Sequence, residues 1–341
     1  MKRFLTVSDL DVSFKTYNGE INVLRGVSFH LNEGETLAIV GESGSGKSVT
    51  AKTIMQLLPK QNSSVNKGTV MFRDVNLLEF NEKQMEKIRG SEISMVFQDP
   101  MTSLNPTMSV GKQIMEGLRE HQSITKKEAL DRAIALLEMV GIPNAKERVK
   151  EYPHQFSGGM RQRVAIAIAI ACDPKVLLAD EPTTALDVTI QAQILELIKE
   201  LQEKLNTGII LITHDLGVVA NMAHRVAVMY AGEIIEVGTV EEIFYEPKHP
   251  YTWGLLSSMP KLHVEQDEAL VPIAGSPPDL SEVSEGCSFS ERCPYAMKVC
   301  HKYSPQPTVL SKHHYASCWL LDDRAQKVKP PVEIGEVNYG S

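Results

Sequence analysis

The fold of this chain is decided by Gly41-Glu42-Ser43-Gly44-Ser45-Gly46-Lys47-Ser48. The stretch matches the phosphate-loop pattern G-x-x-x-x-G-K-[ST] at each specified position. The almost wholly apolar residues 36–40 precede it and predict a buried strand, and the helix-compatible residues 48–58 follow it up to Pro59. A strand, a glycine turn and a helix are the context in which this motif binds phosphate, so we predict a phosphate site at the start of the helix.

The chemistry of the motif follows from its residue types. The glycines let backbone N–H groups converge on a phosphate, and the new helix offers its positive end. Lys47 can then reach the β- and γ-phosphates, and the Ser48 hydroxyl can hold Mg²⁺. We predict that residues 41–48, together with the adjoining Val49, bind a nucleotide. A chance glycine-rich turn is disfavoured by the Gly-Lys-Ser ending and the flanking strand.

The composition limits the partners and the location of the chain. A chain of 341 residues with 43% hydrophobic content is long enough for one large or two medium domains. The net charge of −8 argues against nucleic acid as the main partner. The longest apolar run, residues 164–172, is shorter than the roughly 20 residues that span a bilayer, and no signal-peptide pattern follows Met1. We therefore expect the chain to stay in the cytosol.

A second anion-ready stretch is Ser157-Gly158-Gly159-Met160-Arg161-Gln162. It opens a predicted helix over residues 160–172 with a hydroxyl and two bare backbone amides. It lies more than a hundred residues after the phosphate loop. One chain has a use for both phosphate-binding sites only if both bind the same phosphates.

Two acids and a histidine follow buried-strand patterns. Residues 176–180 predict a strand that ends in Asp180 and Glu181, of which the first can hold Mg²⁺ and the second can polarise an attacking water. The next strand pattern, residues 208–212, ends at Thr213-His214-Asp215. Ligands collect at the carboxyl ends of strands in open α/β sheets, so this position favours function over a purely structural histidine. Two merely solvated acids are the alternative for Asp180 and Glu181.

The remaining sequence patterns predict three regions: a small antiparallel sheet, a helix-rich region and a parallel α/β core. Short strands at residues 5–7, 12–14 and 27–31 indicate a small antiparallel sheet, and the polar residues 61–68 indicate a loop. Residues 100–163 are helix-rich, with a capping box at Thr125 and Glu128. Strands alternating with helices elsewhere predict a largely parallel, doubly wound α/β core. Phe14 or Tyr17 can stack on a base, although either is equally compatible with an ordinary sheet aromatic.

The tail after residue 258 is rich in cysteine. Cys287, Cys293, Cys300 and Cys318 are spaced C-x5-C-x6-C-x17-C, and four thiolates suit tetrahedral zinc or a four-iron cluster. Free thiols and surface disulfides are the alternatives. The fifth cysteine, Cys172, lies in the apolar helix pattern and is expected to be part of the core.

Taken together, these segments resemble the ATPase subunit of an ABC (ATP-binding cassette) transporter over essentially the whole chain. The resemblance implies a P-loop NTPase cassette: a RecA-like core, an antiparallel β subdomain and a helical subdomain at about 100–163. By this resemblance, residues 41–48 correspond to Walker A and residues 157–162 to the signature motif. Phe14 corresponds to the aromatic residue that stacks on the base, with Tyr17 as the alternative. The other implied roles are Gln98 as the Q-loop glutamine at Mg²⁺, Asp180 in Walker B, Glu181 as general base, Asp187 in the D-loop and His214 as switch histidine.

The chain is more specifically similar to the dipeptide/oligopeptide importer branch. Three stretches carry this similarity: Phe97-Gln98-Asp99-Pro100-Met101-Thr102-Ser103-Leu104-Asn105-Pro106, His249-Pro250-Tyr251-Thr252, and the cysteine segment from Gly286 to Cys300. The resemblance implies a nucleotide-binding domain at residues 1–258 and a cysteine-rich extension at 259–341 that carries a [4Fe–4S] cluster, with zinc as the alternative. Related importers carry nickel, glutathione or oligosaccharide-like solutes, which leaves the cargo open.

The resemblance also implies partners. Two ATPase subunits, here expected to be homologous but different chains, pack head to tail, and ATP lies between Walker A of one and the signature of the other. Ser157, Gly158, Gly159 and Gln162 would then face the partner's ATP. Residues 98–121 would grip one of two membrane permease subunits, an extracytoplasmic binding protein would deliver the solute, and the ATPase would be peripheral on the cytoplasmic face.

Three other classes of protein share parts of this pattern. Soluble ABC ATPases of DNA or ribosomes usually carry two cassettes or a long insertion, and about 108 residues between Ser48 and Ser157 leave no space for one. ABC exporter subunits are often fused to membrane helices, and a P-loop kinase would lack Ser-Gly-Gly and His214.

Overall fold

The computed structural model describes residues 3–17, 19–184, 186–258, 273–281 and 285–330, and its strands form two sheets. The strands are β1 (Arg3–Thr16), β2 (Gly19–Asn32), β3 (Thr36–Val40), β4 (Ser63–Phe72), β5 (Val75–Asn76), β6 (Ile93–Val96), β7 (Val176–Asp180), β8 (Gly208–Thr213), β9 (Arg225–Tyr230), β10 (Glu233–Thr239), β11 (Thr308–Val309) and β12 (Tyr315–Ala316).

The helices lie between these strands. They are α1 (Lys47–Ile54), α2 (Glu82–Ile88), α3 (Pro100–Ser103), α4 (Val110–His121), α5 (Lys126–Met139), α6 (Ala145–Arg148), α7 (Gly158–Ala169), α8 (Val188–Leu205), α9 (Leu216–Met222), α10 (Val240–Tyr245) and α11 (Pro250–Ser257). Short 3₁₀ turns occupy Leu77–Glu79, Pro153–Gln155 and Trp319–Leu321.

The larger sheet places the phosphate loop. Its order is β11-β12-β10-β9-β3-β8-β7-β6, and the strands from β9 to β6 run parallel. All residues of β3 are buried between β8 and β9, which confirms the strand predicted before the glycine turn. Because the carboxyl ends of parallel strands share one edge, residues that follow β3, β7 and β8 meet there.

The smaller sheet, in the order β2-β1-β4-β5, is antiparallel and larger than the sequence predicts. The strands β1 and β2 each run 14 residues, with register shifts between Val7 and Val12, where the sequence pattern predicts only short pieces. The prediction of a loop at residues 61–68 is wrong, because β4 starts at Ser63 and pairs with β1. Its first half is polar because it faces solvent, and backbone pairing in an antiparallel sheet does not need apolar side chains there.

A helical region covers α3 to the start of α7, and the subdomain predicted at about 100–163 stays a prediction. The Thr125 side chain accepts from Glu128 N–H and the Glu128 side chain accepts from Thr125 N–H, which confirms the capping box. Two helices end earlier than predicted. Gln56, two residues after the end of α1, has a left-handed backbone with φ of 49°, which is incompatible with continuing that helix. The helix α7 ends at Ala169, and residues 170–172 form a turn.

Two short strands near the C-terminal end of the described residues add to the larger sheet. β12 pairs antiparallel with β10, and β11 pairs with β12. The predicted boundary at 258/259 adjoins residues 259–272, which lie outside the described residues, so it stays a prediction. In the described part of the chain, no helix is both long and apolar enough to cross a membrane.

Candidate active site

The phosphate loop follows a path that only glycine allows at two positions. A Cβ on Gly41 would lie 2.1 Å from the carbonyl oxygen of Met229, and one on Gly46 would lie 2.8 Å from Leu24 Cδ2. Gly46, at φ 105°, is also the N-cap of α1. Ser43 and Gly44 are exposed, whereas the Ser45 hydroxyl is buried without a hydrogen-bond partner among the described residues. The loop therefore leads directly into a helix N-terminus, as the motif requires.

Lys47 lies inside the loop. Its Nζ donates hydrogen bonds to the carbonyl oxygens of Gly41 (2.8 Å) and Glu42 (2.9 Å). Burial lowers the pKa of Lys47, and the nearby carboxylates of Glu181, Asp180 and Glu42 act against this shift. The ammonium is thus held at the loop, where a phosphate can replace the carbonyl oxygens.

Two of the three residues predicted to hold Mg²⁺, Ser48 and Asp180, are in contact. The Ser48 hydroxyl at the start of α1 donates to Asp180 Oδ1 at the end of β7, at 2.8 Å. Asp180 is buried, and burial raises its pKa, opposed by the hydrogen bond from Ser48. A hydroxyl and a carboxylate oxygen side by side are donors that Mg²⁺ accepts, so the pair fits the ion.

Three predicted catalytic residues meet at one carboxylate. Glu181 Oε2 accepts from Gln98 Nε2 at 3.1 Å and from the Thr184 hydroxyl at 2.8 Å, and Glu181 Oε1 lies 3.3 Å from His214 Nδ1. The φ of Glu181 is 46°, a strained value for a non-glycine residue that is typical of functional sites. Thr184 is absent from the sequence prediction, and its only signal is a hydroxyl three residues after Glu181.

The environment of Glu181 lowers its pKa and keeps the carboxylate ionised at neutral pH. Burial alone would raise this pKa, but the hydrogen bonds from Thr184 and His214, with the charges of His214 and Lys47, lower it overall. The carboxylate is therefore ionised at neutral pH and available to accept a proton from water.

The signature residues begin α7. The Ser157 side chain accepts from Met160 N–H at 3.4 Å, and Ser157 and Gly158 are exposed. A Cβ on Gly159 would lie 2.6 Å from Ile190 Cγ2, so this glycine lets α7 pack closely on α8. Gln162 is buried, its Nε2 lacks a hydrogen-bond partner among the described residues, and its role toward a partner's nucleotide stays a prediction.

The remaining predicted nucleotide residues have different exposures. Asp187 caps α8, where its carboxylate accepts from Ile190 N–H at 3.0 Å; Ala185 of the same loop lies outside the described residues. Phe14 is half-buried on β1 and packs on the core, Tyr17 is fully exposed just after β1, and Val49 is half-buried in α1. The choice between Phe14 and Tyr17 as the base-stacking residue stays a prediction.

The five cysteines all lie in the described part of the chain, and all are free thiols. Burial raises the pKa of Cys287 and of Cys318 to about 12, and neighbouring thiols of the same segment add to both shifts. Among the described residues, no group of three or more His, Cys, Asp or Glu side chains stands in an arrangement that holds a metal ion. Cys172 packs against the core, as expected.

Comparison with known families gives two matches along the chain. Residues 24–184 match the family "ABC transporter". Residues 235–300 match the family "Oligopeptide/dipeptide transporter, C-terminal region".

Whole-length relatives share the order of the segments. The "Oligopeptide transport ATP-binding protein OppD" of Bacillus subtilis (strain 168) is 60% identical over 97% of this chain and 93% of its own length. The "Dipeptide transport ATP-binding protein DppD" of Lactococcus lactis subsp. cremoris (strain MG1363) is 56% identical over 98% of this chain and 95% of its own length.

Solved structures match the cassette part of the fold. The structure "Dimeric structure of a post-hydrolysis state of the ATP-binding cassette MJ0796 bound to ADP and Pi" is 28% identical, with a TM-score of 0.62 over 69% of this chain and 98% of its own. CbiO1 from Clostridium perfringens, described as part of the ABC transporter complex cbiONQ, is 30% identical with a TM-score of 0.62 over 72% of this chain and 92% of its own.

Proposed function

Because this chain belongs to the ATP-binding proteins of oligopeptide/dipeptide ABC transporters, we propose that it hydrolyses ATP to power the import of di- and oligopeptides. The observation that carries the ATPase activity is the meeting of Gln98, Thr184 and His214 on the Glu181 carboxylate, beside the Ser48–Asp180 pair. The assignment of peptides as the cargo is supported by the relatives' names and by the C-terminal family match.

The chemical step uses residues at the carboxyl edge of the larger sheet. Lys47 leaves the loop carbonyls for the β- and γ-phosphates of ATP, and the loop N–H groups surround the phosphates. Ser48, Asp180 and Gln98 would hold Mg²⁺, which neutralises charge on the phosphates. Glu181 accepts the proton of the attacking water, and His214 holds the Glu181 carboxylate in place.

Two such subunits close on ATP. Ser157 and Gly159 at the start of α7 would meet the γ-phosphate that Lys47 of a partner subunit binds. Asp187 would lie near the same interface. ATP bridges the two halves, and its hydrolysis removes the bridging charge and lets them reopen. We propose that the partner is a homologous chain rather than a second copy.

The ATPase drives membrane subunits. ATP-binding proteins of this transporter family act with membrane permeases, and residues 98–121, which include α3 and α4, are proposed to contact a loop of one of two permease subunits. This arrangement would hold the chain peripherally on the cytoplasmic face of the membrane. An extracytoplasmic binding protein would deliver the solute.

A solute panel tests the cargo. The chain is assembled with its permease and binding-protein partners in proteoliposomes with enclosed ATP, and uptake is measured for a dipeptide, a pentapeptide, nickel, glutathione and an oligosaccharide. We expect competition between the two peptides and little uptake of the other three solutes. Uptake of one of those three in preference to peptides would reassign the cargo, and active hydrolysis without association with any permease would favour a soluble ABC ATPase.

We also propose that the cysteine segment holds a [4Fe–4S] cluster, with zinc as the alternative occupant. The support is the donor set, since Cys287, Cys293 and Cys300 lie near enough to Cys318 to help raise its pKa. Backbone N–H groups of Phe289, Tyr295 and Leu320 hydrogen-bond to the sulfurs of Cys287, Cys293 and Cys318. Hydrogen bonds to sulfur are one of the means by which proteins tune such clusters. The thiols would need to move closer to one another to ligate a metal.

A further inference from the structure

The cysteine segment reaches the phosphate loop through one side chain. Arg292, next to Cys293, binds the carboxylate of Glu42 with two hydrogen bonds: Nη1 to Oε2 at 2.6 Å and Nη2 to Oε1 at 3.0 Å. Glu42 is the second residue of the loop, and 250 residues separate the two partners. A bidentate arginine–carboxylate pair fixes the relative orientation of the two side chains as well as the distance between them.

The guanidinium is itself held in place. Arg292 Nε donates to the carbonyl oxygen of Ala274 at 2.9 Å, and Nη2 donates to that of Gly275 at 3.2 Å. Its carbon Cζ lies 5.7 Å from the centre of the Tyr230 ring, and the side chain is only 6% exposed. The ion pair therefore differs from a loose surface pair, whose partners are mobile and screened by solvent.

The backbone of Glu42 is held from the same side. Its N–H donates to the Tyr251 hydroxyl at 2.9 Å, while its carbonyl oxygen accepts from Lys47 Nζ. Phe289 of the cysteine segment packs edge-on against Tyr230 and Tyr251, with ring centres 5.2 and 5.4 Å apart. The extension thus contacts the loop through the carboxylate and, by way of Tyr251, through the peptide amide.

The position of Glu42 gives this contact a consequence for ATP. Glu42 places a negative charge in a loop that has to bind a polyphosphate, and an unpaired charge there would oppose binding. Arg292 neutralises the carboxylate and turns it toward the extension. It also fixes the residue whose carbonyl oxygen receives Lys47.

We propose that Arg292 is a positioning residue for ATP binding that acts through Glu42, so that the order of the cysteine segment sets the nucleotide affinity of the phosphate loop. The inference rests on the ATP site assigned under the proposed function. The competing interpretation is that Arg292 only attaches the extension to the cassette. In that case its loss would reduce the amount of folded protein without changing the affinity of the molecules that fold.

The test uses the full-length chain and Mg-ATP, with affinity measured by isothermal titration calorimetry. Arg292→Met should weaken binding about tenfold, the size expected for loss of a charge-assisted pair. Arg292→Lys keeps the positive charge but cannot form the bidentate pair, so its affinity for Mg-ATP should fall less. The control is Arg324→Met, which removes an exposed arginine of the same extension that forms an ion pair with Asp322. In the assembled transporter, the KM for ATP should rise in Arg292→Met while kcat stays near wild type.

A double-mutant cycle tests whether Arg292 affects ATP binding through Glu42. In a Glu42→Gln background, Arg292→Met should add almost nothing, because the pair is already broken. Wild-type affinity in folded Arg292→Met, or the same tenfold loss with Gln at position 42, would overturn the inference. If Arg292→Met does not fold, Arg292→Lys serves as the test, and an unchanged affinity of that variant for Mg-ATP would overturn the inference. A wild-type chain that binds no ATP would instead refute the proposed function.

Discussion

The Ser48 hydroxyl donates a 2.8 Å hydrogen bond to Asp180 Oδ1, although 132 residues separate the two side chains. The contact exists because α1 starts, and β7 ends, at the same edge of the larger sheet. The Ser48 and Asp180 oxygens, which we propose as Mg²⁺ ligands, therefore lie side by side.

This contact predicts the magnesium dependence of the enzyme. Ser48→Ala should raise the Mg²⁺ concentration for half-maximal ATP hydrolysis by roughly tenfold or more, because one oxygen donor and the hydrogen bond that orients Asp180 are both lost. The measurement is an ATPase titration with Mg²⁺. Ser63→Ala removes an exposed hydroxyl that bonds to the Pro59 carbonyl and serves as control. A variant with wild-type Mg²⁺ dependence would remove Ser48 from the metal site.

The start of α7 predicts ATP-dependent pairing of subunits. In a Glu181→Gln background, which retains unhydrolysed ATP, cross-linking should detect a dimer with ATP and not with ADP. Ser157→Arg should weaken that dimer, because a bulky side chain occupies the helix N-terminus that would face the partner's γ-phosphate. Ser123→Arg, at an exposed position before α5, is the control. Equal pairing with ADP and ATP would contradict the bridging role of the nucleotide.

Burial of His249 predicts a loss of stability in acid. Burial lowers its pKa to about 4, against 6.5 for the free side chain, so its contribution is present above pH 6.5 and is lost as the pH falls toward 4. The loss should reach roughly 2 kcal/mol of unfolding free energy at pH 5. His249→Asn keeps an acceptor for Tyr251 N–H without the titration, so its free energy of unfolding should fall less between pH 7 and 5.

Urea unfolding at the two pH values measures this difference. The exposed His154→Asn variant reports the effect of losing a surface histidine. Equal losses of stability in wild type and His249→Asn would show that another group controls the acid response.

The cysteine segment predicts a coloured protein. Purified without oxygen, the chain should be brown and contain iron and acid-labile sulfide at about four of each per molecule. Cys293→Ser should lose the colour and destabilise the extension, whereas Cys172→Ser, in the core, should retain the colour. Stoichiometric zinc without iron would make the site a zinc site, and the absence of both metals would leave four free thiols.

The candidate catalytic residues can be located from the sequence because each follows a local motif. Asp180 and His214 follow apolar strands, and strands of a parallel sheet share their carboxyl edge, so proximity follows from order alone. Thr184 and the polar first half of β4 are missed because neither has a local pattern. The Arg292–Glu42 pair is missed for another reason: it joins positions 250 residues apart that no motif connects.

The central claim is that ATP hydrolysis at Glu181 drives peptide import. Peptide uptake is measured in proteoliposomes that contain the assembled transporter and enclosed ATP, with wild type compared with Glu181→Gln and with the control Glu203→Gln, an exposed residue of α8. Wild type and control should accumulate peptide. Glu181→Gln should bind ATP yet lose both hydrolysis and uptake by roughly 10²–10⁴-fold, the contribution of one general base. Wild-type uptake by Glu181→Gln would contradict the claim.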